Sequence, residues 1–503
     1  MPRCLQALFA LVLAILASGP ARAADADLLK RGEYLARAGD CVACHTRPGG
    51  EPFAGGRRLD TPFGAIYSPN LTPDKETGIG GWSDDDFYRA LHEGIGKNGE
   101  YLYPAFPFPW YTKVTRDDAL AIKAYLFSLP PVREQNKPVA FSFPFDVREG
   151  LATWRLLFFK PAEPKQPDDK LSRGAYLVEG LGHYGECHNR HNVLGASDWS
   201  GKYEGGAVNG WYAPNITADG RQGVGQWSED DLVNFLKTGA SSGHGVALGP
   251  MQETIDDSLS HLSDDDLHAM AAYLKSVRPE ETFANNKGAY HRKGAPGEDV
   301  YLAQCASCHG PDGKGQPGRV PGLAGNGAVM AGGPENVIRA VLGGLPPAHG
   351  LGPMPAVGAS LSDEDVARVA DYVRNSFGNA APATSEPKNV AAARKSVRTT
   401  MAPVEPSDCA TIGSPQIQAL IDSGAIAKVA GSDPIGRIGA VDDLLEHLKP
   451  PSPTLLADLT AAYCRASFAD NGASHEQRAE RIGQLAVLTY SRALAPTKLG
   501  DAR

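Results

Sequence analysis

The run Cys41-Val42-Ala43-Cys44-His45 recurs as Cys305-Ala306-Ser307-Cys308-His309, and a third copy, Tyr184-Gly185-Glu186-Cys187-His188, keeps only the second cysteine and the histidine. Two thiols three residues apart share one face of a helical turn. With a histidine directly after the second thiol, the pattern is the attachment signature of c-type haem, the imidazole lying beneath the iron of the porphyrin that the thiols hold. A bare C-x-x-C would also suit a redox dithiol or half a zinc site, but repetition with an adjacent histidine argues against both. The binding set is therefore Cys41, Cys44, His45, Cys187, His188, Cys305, Cys308 and His309, with three haems expected and the second held by one thioether through Cys187. The competing expectation for the second copy is a domain that has lost its haem and serves as a spacer.

The N-terminus points to export. Arg3 precedes an apolar stretch from Leu5 to Ala17 and then Ala21-Arg22-Ala23, a small-x-small cleavage site, so residues 1–23 read as a signal peptide. About 13 apolar residues are too few to span a bilayer, and no later stretch is longer, so any membrane contact is expected to be peripheral. Cysteine usage agrees with an oxidising compartment: once Cys4 leaves with the signal, five cysteines serve haems and Cys409 and Cys464 remain for a disulfide. The formal net charge of -9 over 503 residues argues against a nucleic-acid partner.

An internal repeat organises the first 380 or so residues. The first copy runs Gly32-x-Tyr34-Leu35, Cys44-His45, Pro69-Asn70-Leu71-Thr72, Trp82-Ser83-x-Asp85-Asp86 and Ala124-Tyr125-Leu126. The second runs Gly174-x-Tyr176-Leu177, Cys187-His188, Pro214-Asn215-Ile216-Thr217, Trp227-Ser228-x-Asp230-Asp231 and Ala272-Tyr273-Leu274. The third is shorter, from Val300-Tyr301-Leu302 to Tyr372-Val373. Ser83, Ser228, Ser263 and Ser362, each followed by acidic residues and an apolar period, read as helix N-caps. Each unit is thus mostly helical: a first helix carries the haem cysteines, long Gly/Pro loops wrap the ring, and a terminal helix crosses the first. Trp82 and Trp227 read as packing residues rather than electron relays.

This order of motifs, from Asp27 to Asn379, resembles the triple-haem cytochrome c subunits of periplasmic membrane-associated dehydrogenases that oxidise alcohols, aldehydes, gluconate or fructose. The resemblance rests on G-x-Y-L, the haem sites, S-P-N-L-T, G-G-W-S, L-Y-P-A and the run from Gly174 to His183. It implies a separate catalytic subunit of flavin, quinoprotein or molybdenum type, whose electrons pass through the haems toward quinone or a downstream cytochrome.

Methionines are few enough to enumerate as distal ligands. Met251 in Gly249-Pro250-Met251 and Met354 in Gly352-Pro353-Met354-Pro355 follow His188 and His309 at spacings that suit a c-type domain, and they are assigned to the second and third haems. Met330 competes for the third, and Met270 reads as core. The first haem has no such residue: where the family commonly carries Pro-Ala-Met-Pro, this chain has Pro104-Ala105-Phe106-Pro107. His92 is the nearest replacement and would make a bis-histidine haem of lower potential. Unbound, it would leave a five-coordinate first haem open to small ligands and suited to peroxidase-like chemistry or gas sensing. The metal set is then His45, His92, His188, Met251, His309 and Met354.

Between the first two units lies an aromatic connector of Phe141, Phe143, Phe145, Trp154, Leu157, Phe158 and Phe159, expected to pack between domains or else to meet the catalytic subunit or lipid. The resulting expectation is a mainly α protein: signal 1–23, cytochrome c domain 1 with connector 24–160, domain 2 161–285, domain 3 286–379, linker 380–406 and a helical extension 407–503. The extension is expected to dock on the dehydrogenase or on the cytochrome domains. No Gly-rich dinucleotide fingerprint accompanies it, so the chain reads as an electron-transfer subunit and not as the catalyst. A haem-bearing scaffold with no redox task fits poorly with two methionine-supported sites.

Overall fold

The computed structural model describes residues 20–241, 243–279, 294–345, 351, 354–381, 385–397, 406, 409, 412–432, 436–448, 453–469, 472–473 and 475–494. The leading part of the signal, Gly352 and Pro353 fall outside them; the cleavage motif Ala21-Arg22-Ala23 lies at the start of a helix, Pro20–Ala38. The chain divides into two compact units, residues 1–200 with 252–277, and residues 201–251 with 278–503. Among the described residues no helix is long and apolar enough to cross a membrane.

In the first unit the repeat becomes two crossed-helix pairs. Pro20–Ala38 packs on Arg116–Ser128, and Lys170–Ala175 with its π-helical continuation Tyr176–Leu181 packs on Asp264–Ser276. The glycine of each G-x-Y-L motif is the crossing point: a Cβ on Gly32 would lie 2.0 Å from the Ala121 carbonyl oxygen, and one on Gly174 the same 2.0 Å from that of Ala269. Backbone meets backbone there, which leaves no room for a side chain. The tyrosine two residues on then reaches the other pair. Tyr34 donates to Asp266 Oδ2 at 2.5 Å and Tyr176 donates to Asp118 Oδ2 at 2.6 Å, while Arg31 and Arg173 hold those carboxylates from within their own pairs. Asp118 and Asp266 are both buried. Each charge is therefore compensated by a guanidinium and a phenol, as a buried carboxylate requires.

Small sheets complete the loops. Arg58–Thr61 pairs antiparallel with Gly64–Tyr67, Arg58 facing Tyr67, and Ala140–Phe141 adds a third strand. In the aromatic connector the helix Leu151–Phe158 has no buried residue, and Phe143, Leu156 and Leu157 are exposed. Trp154 pins it by donating to the Leu194 carbonyl at 3.0 Å, and Phe159 packs on Phe108.

The second unit contains the hairpin Gly206–Val208 with Trp211–Ala213, the helix Glu229–Thr238, and the third repeat, in which Glu298–Gln304 packs on Asp363–Asn375. Here the crossing glycine is Gly297, at φ 85°, whose Cβ would lie 2.2 Å from the Arg368 carbonyl. Tyr301 turns inward, donating to the Gly310 carbonyl at 2.5 Å and stacking on Tyr372 and Phe377. Arg374 is fully buried but bonded to the carbonyls of Val329 and Ala331. The hairpin is tied to the helix Glu335–Gly343 through Asn336, which bonds both backbone groups of Tyr212.

The segment read as a linker, 380–406, contains a helix, Pro387–Ser396, fastened to the third repeat: Val390 is fully buried, and Arg394 bonds Asp363 and the carbonyls of Gly358 and Leu361. Its Ala- and Ser-rich composition suggested flexibility because one buried valine and one arginine are a weak sequence signal. Beyond it, helices Pro415–Asp422, Ala425–Gly431, Gly436–Glu446, Pro453–Ala466 and His475–Leu494 form the extension around a core of Ile417, Val429, Val441, Leu444, Leu459 and Leu485. The Cys409–Cys464 disulfide forms as expected, 55 residues apart in sequence.

Gly32→Ala is expected to lower the unfolding free energy by about 1–3 kcal/mol through forced separation of the crossed helices, checked by urea titration of the folded protein. Replacing both Cys409 and Cys464 by serine is expected to destabilise the extension by about 4 kcal/mol on the chain-entropy estimate, read by hydrogen exchange in helix Pro453–Ala466.

Candidate haem-binding sites

The attachment runs adopt the local structure their spacing demands. Cys41–His45, Gly185–His188 and Ala306–His309 are each a short helical turn. None of Cys41, Cys44, Cys187, Cys305 and Cys308 is in a disulfide. Burial pushes Cys41, Cys187 and Cys305 up to about 12 and Cys44 up to about 11, with neighbouring charge adding to the effect.

Two of the candidate axial histidines show a shared geometry. His45 is bonded through Nδ1 to the Pro69 carbonyl oxygen at 2.8 Å, and His309 through Nδ1 to the Pro321 carbonyl at 3.1 Å. A ring that donates from Nδ1 presents a neutral Nε2, the tautomer iron ligation requires. Burial lowers the pKa of both histidines, which further favours the neutral ring. Pro69 opens the first copy of the repeated Pro-Asn-x-Thr motif. In Pro69-Asn70-Leu71-Thr72, the Asn70 side-chain oxygen accepts from the backbone and hydroxyl of Thr72 at 2.9 and 2.8 Å, and its amide donates to the Val132 carbonyl at 2.7 Å. Asn215 and Thr217 close the same turn in the second copy, at 2.8 and 2.7 Å. The turn fixes the carbonyl, and the carbonyl fixes the ring.

Within the first unit the turns at Cys44 and Cys187 lie near one another, Tyr111 touching the residues just before each. Tyr111 sits between them, its hydroxyl donating to the Gly39 carbonyl at 2.9 Å and its ring meeting His183 edge-on at 5.4 Å. Trp110 is fully buried against Gly185, where a Cβ would lie 2.0 Å from the indole. His183 adopts φ 39°, an uncommon backbone for a non-glycine residue, immediately before Tyr184. Two buried polar atoms in this region, the Tyr184 hydroxyl and Asp40 Oδ1, have no hydrogen-bond partner among the described residues. Leaving such atoms unpaired costs about 1–3 kcal/mol each. Their presence beside buried thiols fits a pocket completed by a bound group with polar substituents of its own, as haem is, and the residues here fit that group.

Of the distal candidates, His92 ends the helix Asp84–Glu93, with Nδ1 on the Thr112 carbonyl at 2.9 Å and its ring stacked on Tyr88 at 5.0 Å. Phe106 packs on Tyr111 at 5.5 Å. Met251 is the second residue of helix Pro250–Asp257 and is half-buried. Met354 is also half-buried; it shares a two-way backbone bridge with Leu345, at 2.8 and 2.9 Å, and packs against Ile338, Val341 and Val366. Met270 is core, as read. The caps at Ser83 and Ser228 close full capping boxes with Asp86 and Asp231. Trp82 and Trp227 are half-buried rather than core, Trp227 stacking on His244 at 4.3 Å.

Helical turns bearing C-x-x-C-H, each followed by an imidazole anchored to a proline carbonyl, define a c-type cytochrome. A sequence-family model described as cytochrome c matches residues 294–377. The chain is 43% identical over 405 residues to a gluconate 2-dehydrogenase cytochrome c subunit from Pantoea cypripedii, covering 74% of this chain and 90% of the relative. It is 40% identical to the cytochrome c subunit of a quinone alcohol dehydrogenase from Gluconobacter oxydans, covering 77% and 86%, and 36% identical to a fructose dehydrogenase cytochrome subunit from Gluconobacter japonicus, covering 80% and 89%. The chain belongs to this family of dehydrogenase cytochrome c subunits, and is an electron-transfer protein rather than the substrate-oxidising component.

If Cys187 is the sole covalent anchor of the second site, Cys187→Ala should lower the covalently bound haem count of the purified protein by one, measured by denaturing mass spectrometry, while Tyr184→Cys should leave the count unchanged and shift the pyridine haemochrome band to the blue.

Proposed function

We propose that the chain is the three-haem electron-transfer subunit of a dehydrogenase complex in the periplasm, peripherally associated with the inner membrane. It takes electrons from a catalytic subunit of flavin, quinoprotein or molybdenum type and passes them to quinone or a downstream cytochrome. The observation that carries this reading is the pair of half-buried attachment turns whose histidines are locked by Pro69 and Pro321, in a chain similar over most of its length to subunits named for such dehydrogenases. The quinone acceptor is supported by the name of the Gluconobacter oxydans relative, and export by the apolar N-terminal stretch with its Ala-x-Ala site.

Haem iron held in this way exchanges single electrons between its ferric and ferrous states. The chain supplies the positions and the axial donors. Cys41, Cys44, Cys305 and Cys308 anchor the first and third sites through paired thioethers, and Cys187 anchors the second alone. His45, His188 and His309 are the proximal ligands. Met251 and Met354 are the distal ligands of the second and third sites, assigned on their spacing in the sequence. The reciprocal Tyr34–Asp266 and Tyr176–Asp118 bonds lock together the two helix pairs that carry the Cys44 and Cys187 attachment turns, which supports transfer between those sites.

For the first site the distal ligand is His92. Its Nδ1 rests on a backbone carbonyl in the same way as those of His45 and His309, so Nε2 is the nitrogen left to ligate. A second reading is favoured by Phe106, which stands in the usual methionine position and packs toward Tyr111: a five-coordinate first haem reactive toward small ligands.

Carbon monoxide titration of the fully reduced protein separates them. With His92 bound, the low-spin spectrum is unchanged at stoichiometric gas, and His92→Ala creates one binding haem; stoichiometric binding by the wild type removes the bis-histidine assignment. Holo-protein with fewer than three haems defeats the three-haem proposal.

A further inference from the structure

We infer that the C-terminal helical extension is a built-in cover over the attachment edge of the third haem site, restricting which face of that site redox partners can reach. The extension's apolar core, formed by Ile417, Val441, Leu459, Tyr463 and Leu485 among others, has Cys308 and Val320 packed against it. A sulfur bonded to the porphyrin rim marks the rim itself, so side chains that pack on Cys308 also close off that edge. Cys308 belongs to the Ala306–His309 turn, and Val320 directly precedes Pro321, whose carbonyl anchors His309. The cover thus touches both the covalent anchor and the residue beside the axial anchor of one site.

The way the cover is held argues for a fixed element. The last helix, His475–Leu494, turns Ile482, Leu485, Ala486 and Thr489 inward, all essentially unexposed, and Thr489 meets the Tyr463 hydroxyl at 3.1 Å. Ile482 and Ala486 pack on the Cys409–Cys464 disulfide, so the cross-link braces the helix that reaches the haem domain. Arg492 is paired with Asp442 at the far end of the same helix. The preceding helix, Pro387–Ser396, is itself strapped to the third repeat by Arg394, which keeps the extension close to the domain it covers. Nearby Leu302 is 54% exposed, and the face of the Glu298–Gln304 helix that carries it stays open to partners.

Excluding water from a haem edge favours the less charged reduced iron, so the cover raises the third site's potential and slows its reaction with small reagents. The inference rests on the third site holding haem. It is tested on the full-length holo-protein with two single variants, Leu485→Glu in the extension core and Val320→Glu on the haem-domain side of the contact. The third site's step in a redox titration is the one that moves in Met354→His. In both variants hydrogen exchange at residues 306–309 should increase, the third potential should fall while the other two stay put, and reduction of that site by a small dye should become several-fold faster. Increased exchange with an unmoved potential and dye rate would overturn the cover. A third titration step missing from the wild type would instead defeat the haem assignment beneath it. If Leu485→Glu unfolds the extension wholesale, the same three readouts on Val320→Glu decide the question.

Discussion

The first unit depends on two helix pairs that touch backbone to backbone and then exchange tyrosines. Gly32 and Gly174 permit the contact, since any Cβ would collide with a carbonyl, and the close crossing brings Arg31 to Asp118 and Arg173 to Asp266. Those carboxylates are buried, and a buried carboxylate bonded only by one guanidinium would still carry unsatisfied oxygen lone pairs. Tyr176 and Tyr34 supply the missing donors from the opposite repeat. Two helix pairs from neighbouring repeats are held together within the first unit because each completes the other's ion pair.

That mutual completion has a consequence for electron transfer. The turns that carry Cys44 and Cys187 lie near each other, with Tyr111, Trp110 and His183 packed around them. The third repeat follows another plan. Its equivalent tyrosine, Tyr301, turns back onto its own domain, and its partner is the extension that packs against Cys308. The same G-x-Y-L-like start thus serves two kinds of association, decided by whether an acidic partner from a sister repeat is within reach.

Much of this was legible beforehand. The attachment turns follow from C-x-x-C-H because helical spacing alone puts both sulfurs on one face, and the Ser83 and Ser228 caps follow from a local hydrogen-bond preference. The disulfide was readable by elimination once five cysteines had been given to haem. Less legible were Pro69 and Pro321, whose contribution is a backbone carbonyl and so leaves no chemical signature in the side chain. The connector's sequence left packing between domains and an outward face both open, and the folded chain has Trp154 and Phe159 packed with Phe143 outward, while the Ala/Ser-rich segment read as a linker forms a helix with Val390 fully buried.

By itself, the amino-acid order determined the class of cofactor, the repeat and its helical character, because these depend on spacings of a few residues that the polypeptide enforces locally. Only the folded chain decided which tyrosine answers which carboxylate, which carbonyl steadies each imidazole, and that the final helix rests on Cys308. Those pairings join residues separated by up to about two hundred positions, and their selection depends on close packing between elements, a property that no local pattern encodes.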